Sequence, residues 1–194
     1  MREIIRRQKS LLHNRRILFT FASHFKMMSR ELRYGLIAGF ITLAWMALGY
    51  ALHWEQSEMG KYAPYLSLLI LFITIYITIL FKRDRDQDGI ISFKQAVMAG
   101  LGVSFMVGLL VGAFLMIYTK YINPDYVNVM IKDATDFYKT QNATQEQLDK
   151  GIESVKAMYS PFGQFTYGIG TTMITGLLIS AVMGAIMQRK VKKV

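Results

Sequence analysis

The stretch with the most chemical potential is Asp84-Arg85-Asp86-Gln87-Asp88-Gly89-Ile90-Ile91-Ser92-Phe93-Lys94-Gln95. Carboxylates at the first, third and fifth places, Gly at the sixth and an apolar residue at the eighth match the spacing of an EF-hand calcium loop. Asp84, Asp86, Asp88 and Ser92 would supply oxygens. The twelfth place needs a bidentate Glu, and Gln95 offers one neutral oxygen instead. Lacking a charge and a ligand, the segment reads as a charged turn bent at Gly89. His53, Glu55 and Glu58 form a second group of residue types that bind metals or respond to pH. One His with two carboxylates in a loop reads as a solvated cluster. The chain has no Cys, which excludes disulfides and thiolate metal sites. No metal, cofactor or catalytic set is expected.

The remaining candidates are hydroxyls inside long apolar segments: Thr42, Thr74, Thr78, Ser104, Thr171, Thr175 and Ser180. A Ser or Thr nucleophile needs a base within reach, and none accompanies these. In helices such hydroxyls bond back to their own backbone, and that is the role expected here.

The elements that carry these residues are four apolar runs, 34–52, 63–81, 96–118 and 165–187, none containing Asp, Glu, His, Lys or Arg. A hydrocarbon core of about 30 Å needs roughly 20 helical residues, so each run is long enough to span. Uniformly apolar runs of this length do not suit barrel strands, which alternate. The sequence predicts an all-α integral membrane four-helix bundle. Although 53% of the 194 residues are hydrophobic, charge is confined between the runs, and the net charge of +10 flanks them. That placement points to membrane orientation rather than to nucleic acid. Nine Lys and Arg lie in 1–33, four in 82–95 and four in 188–194, against six elsewhere. The positive-inside rule then puts both termini in the cytoplasm and the insert 119–164 outside. Tyr50, Trp54, Tyr62, Tyr65, Tyr118, Tyr121, Tyr126, Tyr159 and Tyr167 fall at the proposed outer interface, as aromatic anchors do.

Helices in lipid associate through small residues that let backbones approach. The third run carries Ala96, Gly100, Ser104, Gly108 and Gly112, each four apart. The fourth carries Gly168, Thr172, Gly176, Ser180 and Gly184, also four apart, and the first has Gly35 and Gly39. These ridges predict that spans three and four pack closely, either with each other or across a homodimer axis.

The insert predicts a helical hairpin. Val127, Met130, Ile131, Ala134, Phe137 and Tyr138 form one stripe at helical spacing, and Leu148, Ile152, Val155 and Tyr159 a second. Asn123-Pro124-Asp125 suits a helix start with Pro in the first turn, Thr144 and Gln147 a capping box, and Pro161 with Gly163 a helix end. The stripes are expected to rest on the membrane interface, the bundle or a partner. Residues 1–27 form a basic N-terminal extension whose apolar piece, Ile17 to Ala22, is too short to span. Met27 and Met28 would serve as an alternative start of translation.

The chain resembles the bacterial membrane proteins grouped as domain of unknown function 4199. The resemblance rests on Tyr34-Gly35-Leu36-Ile37-Ala38-Gly39, on Gly89-Ile90-Ile91-Ser92-Phe93-Lys94-Gln95-Ala96, on Tyr121-Ile122-Asn123-Pro124-Asp125-Tyr126 and on the small-residue-rich fourth span with its basic tail. It covers roughly residue 28 onward. It implies a four-span architecture in a bacterial inner membrane and brings no catalytic residues. The expected function is that of a non-enzymatic accessory or scaffold subunit, with a membrane-protein partner or homo-oligomer in the lipid bilayer. The competing expectation is a small oligomeric transporter or channel.

Overall fold

The computed structural model describes residues 29–52, 54, 58–86 and 89–188. The N-terminal extension, His53, Glu55 and the basic tail beyond Gln188 lie outside the described residues. Those residues form six α-helices and no strand: α1 (Arg30–Ala51), α2 (Met59–Phe81), α3 (Phe93–Ile117), α4 (Tyr126–Thr140), α5 (Gln145–Tyr159) and α6 (Pro161–Met187). Wider π-helical turns extend α2 through Lys82–Asp86 and α3 through Tyr118–Ile122. Helices α1, α2, α3 and α6 are each long and apolar enough to cross a membrane. They also expose large hydrophobic side chains on the outside of the bundle, such as Phe40, Ile174, Leu178 and Ile186. Patches of that kind on every span suit lipid as the surrounding medium.

The α3 helix is the hub, packing against α1, α2 and α6. Its ridge meets that of α6 in antiparallel register, four residues up one helix for four down the other. Ala96 faces Gly184, Gly100 faces Ser180, Ser104 faces Gly176, Gly108 faces Thr172, and Gly112 faces Gly168. A Cβ at Gly168 would lie 2.6 Å from Gly112 Cα, and one at Gly112 2.5 Å from the Phe165 carbonyl oxygen. The two backbones therefore touch at this end. Within the single chain described, the third and fourth spans pack on each other along these ridges. Gly35 and Gly39 do the same work on another face of α3. There, added Cβ atoms would lie 2.8 Å from Met106 Cβ and 2.5 Å from Leu110 Cδ1.

The α2 helix seats only its second half. Leu71, Ile75, Thr78 and Ile79 are buried, while Tyr62, Tyr65, Leu68 and Leu69 remain exposed. Ile75 reaches the α3–α6 seam, beside both Gly100 and Gly176. At the end of the bundle away from the hairpin, α1 and α2 are tied by the Glu31–Lys82 ion pair and by Arg30 Nη1 donating to the Phe81 carbonyl at 3.5 Å.

The hairpin forms with two local corrections. Pro124 sits in the turn before α4, where Tyr126 N–H donates to the Asn123 carbonyl, rather than in the first turn of the helix. Pro161 and Gly163 open the fourth spanning helix instead of closing α5: Ser160 caps it by accepting from Gly163 N–H at 3.0 Å. The ring of Pro161 has no N–H to leave unsatisfied at that first position. Thr144 and Gln147 make the expected capping box. Asn142, at φ 52°, ends α4 in the left-handed conformation, with Ala143 N–H donating to the Tyr138 carbonyl. Helices α4 and α5 pack on each other, Tyr138 lying directly over Gly151, while Phe137 of the predicted stripe is exposed. The hairpin is thus packed chiefly on itself and joined to the spans at its base.

The seam sets a sharp contrast within one helix. Gly168→Ala is expected to destabilise the protein by about 1–3 kcal/mol through overpacking. Gly170→Ala, where an added Cβ meets nothing within 4 Å, is expected to be neutral or stabilising by up to about 1 kcal/mol. Gly108→Leu and Gly176→Leu should both lose stability. Thermal unfolding of the detergent-purified protein, followed by helical circular dichroism, measures all four; equal effects at 168 and 170 would refute the seam.

Candidate functional site

The calcium-like segment serves other purposes in the fold. Asp84 lies in the π-helical turn after α2 and pairs with Arg83 at 2.6 Å. The Asp86 side chain, Gln87 and Asp88 lie outside the described residues. Gly89 has φ +81°, so the expected bend is there and favours glycine. Ser92 and Gln95 form a capping box at the start of α3. Gln95 Oε1 accepts from Ser92 N–H at 2.9 Å, and Ser92 Oγ accepts from Gln95 N–H at 3.3 Å. The one oxygen that Gln95 could give a cation is therefore held at a helix end. Of the second candidate group, Glu58 pairs with Lys61 at 2.8 Å, and its two companions lie outside the described residues. Among the described residues no three His, Asp or Glu side chains come together as a metal site.

The structure instead brings together residues that the spacing did not connect. Along the more exposed first half of α2, a cavity of about 550 Å³ opens between all four spans at the hairpin end of the bundle. Pro64 borders it. Pro64 has no N–H, so the Gly60 carbonyl, also at the wall, loses its i+4 donor. Trp45 crosses from α1 to α2, its Nε1–H donating to the Ala63 carbonyl at 3.0 Å, and packs on Trp54 with ring centroids 4.5 Å apart. Val107, Val111 and Phe114 of α3 make the opposite wall. No acidic or basic side chain lines the cavity among the described residues.

Its polar groups are hydroxyls. Thr171 and Thr172 of α6 donate to the carbonyls of Tyr167 and Gly168, both at 2.7 Å. Thr74, Thr78 and Ser104, elsewhere in the bundle, make the same backbone bonds. Thr42 departs from this expectation. It is 3% exposed, borders the cavity, and its Oγ1 has no hydrogen-bond partner. Among the described residues only Arg33 Nε shares that condition, far away at the other end of α1. A buried hydroxyl with no partner is uncommon enough to require a reason.

Apart from Trp54, which packs on Trp45, the predicted aromatic belt divides in two. Tyr62, Tyr65, Tyr121 and Tyr167 point outward. Tyr50, Tyr118, Tyr126 and Tyr159 form a chain of edge-to-face contacts with centroids 5.6–5.8 Å apart. That chain runs from the cavity wall, at Tyr50 and Tyr118, to the feet of both hairpin helices. The anchor reading found these rings, but nothing in their spacing indicated the chain.

Replacing Ser92 by Ala is expected to destabilise the protein by about 1 kcal/mol through loss of the cap. Calcium is expected to leave the melting transitions of both proteins unchanged. A calcium-dependent upward shift, abolished in Ser92→Ala, would restore the cation reading.

Neither the curated proteins nor the solved structures contain a match to this chain. A family model matches residues 33–189, from the start of α1 to just past the end of α6. The chain therefore belongs to the family described as "Protein of unknown function (DUF4199)".

Proposed function

We propose that this multi-pass membrane protein is a non-enzymatic accessory or scaffold subunit of a bacterial inner membrane, with both termini cytoplasmic and the hairpin outside. The observation that carries this reading is the α3–α6 seam. Its small residues give a single chain a closely packed core, leaving the outer faces of the spans and the hairpin available to a partner. Val129 and Phe137, both more than half or half exposed at 50% and 59%, lie on the hairpin's outer surface. Among the described residues, none of the side chains that line the cavity is Asp, Glu, His, Lys or Arg. The distribution of Lys and Arg supports the orientation.

The cavity itself favours a second reading, a transporter or channel, because hydroxyls of α2 and α6 (Ser67, Thr171, Thr172 and Thr175) meet a common space. Beyond it Ile75 is fully buried against the seam, and Ser180 is buried facing Gly100. A path from the cavity toward the other membrane face would have to displace both.

Native mass spectrometry of protein extracted gently from its own membrane separates the two. A defined second protein at fixed stoichiometry is the expected result; a homo-oligomer without a partner would favour transport. Cysteines introduced singly along Thr166 to Ser180 give an independent measure. Labelling by a water-soluble maleimide is expected to stop short of Ser180. A labelled stripe continuing through Ser180 at helical spacing would contradict the accessory reading.

A further inference from the structure

We infer that the cavity between α1, α2, α3 and α6 receives one acyl chain of a bilayer lipid, from the leaflet on the hairpin side, with the head group left at the aromatic rim. The inference needs only that the four spans lie in a bilayer, and it goes beyond both readings of function above.

Depth identifies the occupant. Along α2 the wall runs from Gly60 to Leu71, and along α3 from Tyr118 to Val107. At about 1.5 Å of rise per residue, each stretch covers about 16 Å. One leaflet contributes half of a hydrocarbon core of about 30 Å. Both ends of the space fall at matching levels. The innermost wall residues of the four spans are Thr42, Leu71, Val107 and Thr175, and each lies within one residue of the midpoint of its apolar run. At the other end stand Tyr50, Trp54 and Tyr118, rings of the kind that sit at headgroup level. The cavity therefore begins at the interface and stops at the bilayer centre, as the chain of a single lipid does.

The walls and the way in suit the same occupant. Trp45, Met46, Leu71, Val111 and Phe114 present rings and aliphatic groups. Buried waters take two to four polar partners each, and most of this wall is apolar. Left empty, the lining forfeits dispersion contacts that a hydrocarbon chain restores. The volume of about 550 Å³ lies within the roughly 300–1,000 Å³ of small-ligand sites. Trp45 bridges α1 to the Ala63 carbonyl of α2 and closes that side. On the other side, Leu68 of α2 and Thr171 of α6 both line the cavity and are exposed, which puts the opening to lipid between α2 and α6. At the inner end Thr42, Leu71 and Val107 are buried. The Thr42 hydroxyl takes no part, because its oxygen is sealed from the space.

Photolabelling tests the assignment. The full-length protein would be placed in phosphatidylcholine nanodiscs doped with a phosphatidylcholine that carries a diazirine on one acyl chain. The diazirine sits near the ester in one probe and near the methyl end in the other, and peptide mass spectrometry locates the adducts. Outward-facing residues such as Phe40 and Ile174 touch the surrounding lipid and serve as the reference. The methyl-end probe is expected to label Val107 and Val111 as well, and the near-ester probe to label Tyr118 but not Val107. Ser67 lies midway along the α2 wall. Ser67→Phe, with its helical circular dichroism retained, should lose the labelling of Val107 and Val111 and keep that of Phe40 and Ile174. Labelling confined to outward-facing residues overturns the proposal. Equal labelling of Val107 by both probes also overturns it, since a chain threaded from the interface has a fixed depth order. So does labelling of Val107 and Val111 that persists in a folded Ser67→Phe. Should that variant fail to fold, the depth order in the parent protein decides alone.

Discussion

Apolar side chains gain almost nothing by leaving lipid for a protein interior, so helices in a bilayer hold together by the closeness of their backbones. In this chain that constraint is met along one line, where the ridge from Ala96 to Gly112 on α3 interlocks with the ridge from Gly168 to Gly184 on α6. Each step of four residues brings a glycine against a small residue of the other helix, or against another glycine. Ser104 adds a hydroxyl that bonds to its own helix at the Gly100 carbonyl, so it enters the seam without an unsatisfied group. The Gly35 and Gly39 notch then sets α1 against a different face of α3, which makes α3 the common support of the bundle.

The position of α2 follows from what the seam leaves. Ile75 fits beside Gly100 and Gly176 because neither has a side chain to displace it. From Leu71 through Ile79 the helix is held there. Toward the hairpin, α2 has no such notch, and Pro64 interrupts its hydrogen-bond ladder. Trp45 props the gap from the side of α1 through its bond to the Ala63 carbonyl. The cavity is thus a consequence of one helix being fixed at one end only. The aromatic chain from Tyr50 through Tyr118 and Tyr126 to Tyr159 connects that less tightly packed end to the hairpin.

Much of this was legible in the residues. Unbroken apolar runs announce the four spans because lipid tolerates no unpaired backbone. The four-residue period of small side chains announces the seam, although period alone cannot say whether the partner ridge belongs to the same chain. The Thr144–Gln147 box was read correctly because capping is local chemistry. The Ser92–Gln95 box was masked by an EF-hand-like spacing that uses the same two residues. The cavity was not legible. Thr42, Trp45, Pro64 and Val111 lie on three different helices, and only the tilt and register of those helices bring them to one space. Thr42 resembled every other intramembrane hydroxyl until its surroundings were known. Pro161 was misplaced because a Pro that ends one helix and a Pro that begins the next look alike when the loop between them has almost no length.

The bundle depends on the seam closing within a single chain. Ala96→Cys with Gly184→Cys tests this directly, in a protein that has no other cysteine. A Cβ at 184 would lie 3.3 Å from that of residue 96, a few tenths of an ångström inside the roughly 3.5–4.5 Å spanned by a disulfide, so the helices need only a small shift to form one. Mild oxidation in the native membrane, followed by non-reducing electrophoresis, should give a monomer of altered mobility that reverts on reduction. Disulfide-linked dimers with no cross-linked monomer would place the two ridges on different chains and contradict the account.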